Sequence, residues 1–147
     1  MGYALPAQKK LLLTSLINGC QRNMDLAMSN QLACATRKGS MQQHQSAIQS
    51  SQASQKTEFY EQLRNCTDSG ERESIRDDIE ALENDFQQEL DEINRDINQI
   101  SLTENIYEQD VKRYETELTA YKQQLESIQQ AEGKAIENAT PKFGGLT

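Results

Sequence analysis

The apolar residues of this chain recur at alternating spacings of three and four along two long stretches, the signature of helices that each lay one stripe on a partner. In the first stretch the stripe reads Leu13, Leu16 and Ile17, Cys20, Met24, Ala27, Gln31 and Cys34. It continues through Met41, Gln45, Ile48, Gln52 and Gln55 to Phe59 and Leu63, with amides where a strong seam carries aliphatic groups. Pro6 suits a first helical turn, where its missing N–H costs nothing, so the pattern predicts a helix over about 6–65. Gly39 costs a helix interior roughly 1 kcal/mol relative to Ala. The segment 39–55 also lacks formal charge when His44 is neutral. This middle therefore allows either a hinge or a surface of small and amide side chains suited to close packing.

The run Asn65 to Gly70, NCTDSG, predicts a turn over 66–70, and Asp68 followed by Glu71 is a capping-box-like start for a second helix. Ile75, Ile79, Leu82, Phe86, Leu90, Ile93, Ile97 and Ile100 make its stripe, with one stutter, and Tyr107, Val111, Tyr114, Leu118, Tyr121, Leu125 and Ile128 carry it on in heptad order. Ser101 to Glu104 repeats the capping pattern, so the helix over about 71–132 either runs on or breaks at 101–103. With a break at Gly39 as well, the chain would form a three- or four-helix arrangement. The expected fold is all-α: a single elongated domain over 1–147, built as a long antiparallel hairpin, with an extended tail over 139–147. Leu13, Leu16, Ile17, Met24, Ile79, Phe86, Ile93, Val111, Leu118 and Leu125 are the expected seam.

Charge sharpens the picture. Residues 1–57 hold six basic side chains against Asp25 alone, a net of +5, so the rest of a chain of net −8 carries −13. Opposite charge on two amphipathic stretches joined by a short polar turn favours their antiparallel pairing, within one subunit or between neighbours. Only 35% of residues are hydrophobic and Trp is absent, which fits a narrow helical seam better than a wide globular core. The acidic balance argues against nucleic-acid binding, which needs a clustered basic surface. No run approaches the roughly 20 apolar residues of a membrane span.

Candidate chemistry changes little. His44 is the single histidine and no HExxH or Glu-x-x-His occurs, so zinc and di-iron ligand sets are missing. There is no phosphate loop and no GxSxG; we expect no catalytic, cofactor or metal site and no enzyme. Cys20, Cys34 and Cys66 read as small seam residues. Fourteen residues along one helix separate Cys20 from Cys34 by about 21 Å, too far for a bridge within it. The acidic row that includes Glu83, Glu89 and Glu92 is expected to be a solvated face, available to a basic partner. One N-terminal feature competes with the helix: Lys9-Lys10, LLLTSLI and Asn18-Gly19-Cys20 resemble a bacterial lipoprotein signal that would anchor the chain at Cys20.

The opening MGYALPAQKKLLLT resembles that of small helical proteins of gut bacteria related to cyanobacteria, and the layout of the whole chain resembles coiled-coil subunits of type III secretion filaments. The resemblance implies a helical hairpin whose terminal helices pack with neighbours in a tube; no Trp-Xaa-Gly turn of the secreted hairpin class is present. The expected function is accordingly a structural, self-associating coiled-coil protein, a homo-oligomer of filament or secretion-associated type, cytoplasmic or secreted. The alternative is a coiled-coil adaptor, chaperone or tether that offers its acidic helix to a basic protein.

Overall fold

The computed structural model describes the backbone of residues 4–139 and the side chains of residues 6–136. The first helix, α1, runs Ala4–Asn65 and the second, α2, Ser69–Ala139. They pack against each other as an antiparallel all-α hairpin, and no strand occurs among the described residues. Neither Gly39 nor Ser101 interrupts its helix, so the three- and four-helix alternatives are not adopted. Gly39 has no positive φ, and Lys38 and Met41 beside it keep the three-and-four spacing. Near Ser101 the Thr103 hydroxyl donates back to the Gln99 carbonyl at 3.0 Å, a bond made inside a continuing helix. Of the tail expected over 139–147, Ala139 closes α2 and the remainder lies outside the described residues.

The turn spans 66–68, shorter at its far end than the sequence suggests. The Asp68 carbonyl accepts the Arg72 N–H at 3.0 Å, so Asp68 is the N-cap and α2 begins at once. Glu71 places negative charge in the first turn, where the helix dipole favours it. Arg72 then reaches back. Its Nη1 donates to the Leu63 carbonyl at 2.8 Å and to the Cys66 carbonyl at 2.9 Å, satisfying acceptors at the end of α1 that have no partner inside their own helix.

The chain divides into two compact units. The terminal unit combines residues up to Gln31 with those from Ile106 onward; the turn unit is Leu32–Asn105. In the terminal unit α1 supplies buried Leu13, Cys20 and Ala27 and α2 supplies Leu118. Half-buried Ile17, Met24, Tyr107, Val111, Tyr114, Tyr121 and Leu125 complete its seam. Small side chains on α1 meet a helix rich in Tyr, a division of volume that lets the helices interdigitate.

In the turn unit the buried hydrophobic residues are Ile79, Ile93 and Ile100, all from α2. The half-buried row of α1 reads Cys34, Lys38, Met41, Gln45, Ile48, Gln52, Lys56, Phe59 and Leu63. Long Gln and Lys stems can cover the isoleucines while their polar ends reach water. Cross-helix pairs fix the register: Lys38 Nζ to Glu104 at 4.0 Å, Gln45 Nε2 donating to Asn94 Oδ1 at 2.8 Å, and Lys56 Nζ to Glu83 at 2.9 Å. Between the last two pairs each helix departs from the heptad, with Ile48, Gln52 and Lys56 four apart on α1 and Leu82, Phe86 and Leu90 four apart on α2. A stutter unwinds a supercoil locally. Because both helices stutter at the same level, the seam stays closed through it.

Candidate interaction surface

Each unit carries one region with distinctive chemistry. In the terminal unit, Cys20 sits in the seam with its thiol donating to the Tyr114 carbonyl at 3.0 Å. Burial raises its pKa above the ordinary 9.0; the nearby Glu117 charge adds to the shift and a backbone hydrogen bond from Leu118 opposes it. A buried, protonated thiol of this kind is a weak nucleophile. The Lys10 ammonium lies 3.6 Å from Glu132 across the same unit.

One flank of this unit is open. Leu12, Leu13 and Leu16 on α1 and Ala120, Gln124 and Ile128 on α2 line a groove of about 660 Å³. A smaller opening of about 110 Å³ follows beside Leu26, Asn30, Tyr107 and Asp110. Leu12 and Leu26 are each 61% exposed, and Leu11 and Met28 stand exposed on the other flank of α1. Helix α1 therefore presents apolar side chains on three sides here, a distribution suited to a helix surrounded by others. Of the expected seam residues, Leu16 lies on the open flank at 39% exposure, whereas Leu13 and Leu118 are buried and Ile17, Met24, Val111 and Leu125 half-buried.

In the turn unit, Ile79 and Ile93 are buried and Phe86 is half-buried. The three acidic residues singled out from sequence do not share one environment. Glu83 stands at the seam margin holding Lys56, whose pKa this hydrogen bond raises, while Glu89 and Glu92 are exposed. Ser69–Asn105 carries twelve acidic and three basic side chains, a strongly negative outer surface. At the turn, burial and a hydrogen bond to the Glu71 carboxylate at 3.3 Å raise the Cys66 pKa. Cys34 is half-buried, and the three cysteines are free thiols.

Among the described residues no group of His, Cys, Asp and Glu is arranged to hold a metal ion, and no helix is long and apolar enough to cross a membrane. Sequence reasoning missed two features: the Arg72 clamp and the open flank of the terminal unit. Leu12 and Leu26 are visible in the sequence as apolar residues fourteen apart, two heptads, lying outside the main stripe. Arg72 gives no sequence signal beyond its position four residues after the cap. Comparison with protein-family models, with curated proteins and with solved structures returns no match.

Proposed function

We propose that this chain is a non-enzymatic structural protein that self-associates through its helices, as a subunit of a filament or secretion-associated assembly. The observation that carries this reading is incomplete burial. None of the described side chains is fully buried, while Leu11, Leu12 and Leu26 of the terminal unit stand more than half exposed. A protein interior normally buries such residues outright, and apolar surface of this kind favours contact with another chain. Neighbouring subunits would supply the missing cover.

The test is a concentration series from micromolar to millimolar, read by sedimentation and circular dichroism, with electron microscopy of the concentrated sample. Mass and helicity rise together with concentration, and fibres appear at the upper end. A stable monomer of unchanged helicity across the range refutes the proposal.

The charge of Ser69–Asn105 supports a second reading, an adaptor that binds a basic protein through this face. In that case Glu89→Lys with Glu92→Lys abolishes binding to the basic partner while helicity and self-association persist.

A further inference from the structure

We infer that the flank of the terminal unit carrying Leu12, Gly19 and Leu26 is a two-fold interface on which a second copy of this chain docks. The inference rests on the self-association proposed above and names its surface.

Leu12, Gly19 and Leu26 are seven residues apart and so lie in one row of α1, and Lys9, Leu16, Asn23 and Asn30 form the row beside it at the same spacing. Both openings of the flank are lined from these rows, one by Lys9, Leu12 and Leu16, the other by Asn23, Leu26 and Asn30. Gly19 lies midway between them, and a Cβ built there meets nothing within 4 Å. The face is thus bare of side chain at its centre and carries an exposed leucine at equal distance on either side.

A two-fold contact must be self-complementary, since the same patch serves both partners. An axis through Gly19, perpendicular to α1, meets this demand. It lays the two α1 helices antiparallel and brings Leu26 of each copy to the level of Leu12 in the other. That level is the larger groove, where Ala120 and Ser127 of α2 are too small to fill the space beside Leu12 and Leu16. Two leucines thereby enter two grooves by one operation.

Charge agrees with the same axis. Lys9 stands at one end of the flank and Asp110 at the other, where it is 3.5 Å from Arg113 on its own helix. Rotation about Gly19 brings Lys9 of each copy to the level of Asp110 in its partner, so the pair forms twice. A parallel arrangement would stack lysine on lysine. Leucine placement, groove position and charge thus select one occupant and one orientation.

The test uses the full chain with Cys34→Ser and Cys66→Ser. Adding Gly19→Cys places a thiol on the axis, and mild oxidation yields a disulfide-linked dimer. Gln21→Cys, an exposed position on the opposite side of α1, does not cross-link. Separately, in the otherwise unaltered chain, Leu26→Glu raises the dimer dissociation constant by about 30-fold or more. Lys9→Glu weakens association and Asp110→Lys added to it restores association, with circular dichroism reporting that each variant keeps its helices. Wild-type self-association that survives Leu26→Glu unchanged, without cross-linking at position 19, overturns this interface and leaves the self-association reading standing. A wild-type chain that stays monomeric at millimolar concentration overturns both.

Discussion

The terminal and turn units are made from the same two helices, yet they bury their seams differently. In the terminal unit both helices contribute, with Leu13, Cys20 and Ala27 of α1 buried alongside Leu118 of α2. In the turn unit the buried residues Ile79, Ile93 and Ile100 belong to α2 alone, while the half-buried row of α1 includes Lys38, Gln45, Gln52 and Lys56. The isoleucines are buried to the same degree, 6–7% exposed against 5–8% in the terminal unit. Burial of one helix therefore does not require an aliphatic partner. The energetic difference lies with the partner: a Gln or Lys stem loses more rotamer freedom on packing than Leu does, and brings a polar end that must stay wet.

The largest effect that tests this difference is removal of an isoleucine. Ile93→Ala should destabilise the chain by about 2–5 kcal/mol in urea or guanidinium unfolding, the range for truncating a buried aliphatic group. Gln45→Ala, in the facing helix, should cost far less, because its amide bond to Asn94 is solvent-exposed. If the two substitutions cost the same, the asymmetry of the turn unit is wrong. Next in size, Gln52→Leu should stabilise the turn unit by about 1 kcal/mol by adding apolar cover over the isoleucine row, making the two units more alike. Gly39→Ala should add about 0.5–1 kcal/mol, since the glycine is helical, has no positive φ, and leaves open space where a Cβ would sit.

The smallest effect concerns Cys20 in the terminal unit. Its pKa is raised in the folded chain, so its contribution to stability is fully present below pH 9.0 and declines as pH rises from there through the folded value. Cys20→Ala should remove this part of the alkaline loss of stability, seen as a flatter pH dependence of the unfolding midpoint above pH 9.0.

Much of the hairpin is legible because its signals are local or periodic. The three-and-four spacing of Ile75 through Ile128 depends on one helix alone, and NCTDSG with Asp68 marks the turn without reference to any other part of the chain. The middle of α1 is ambiguous in sequence because amides at Gln45 and Gln52 look like a weakened seam. Only the aliphatic row opposite shows what those stems can cover. Gly39 and Ser101 look like breaks for a related reason: the propensity cost of roughly 1 kcal/mol at one glycine is small against the packing gained by a seam that continues on both sides. The open flank was least legible. Leu12, Leu16 and Leu26 are simply leucines on a helix until the second helix takes its place and leaves them uncovered.

Hydrogen exchange resolved by residue along α1, in dilute solution, bears most directly on the contrast between the units. Amides between Leu13 and Ala27 should be strongly protected, and those between Lys38 and Lys56 should exchange faster, because that stretch is held by amide and lysine stems. Uniform protection along α1, or slower exchange in the Lys38 to Lys56 stretch, would contradict the account.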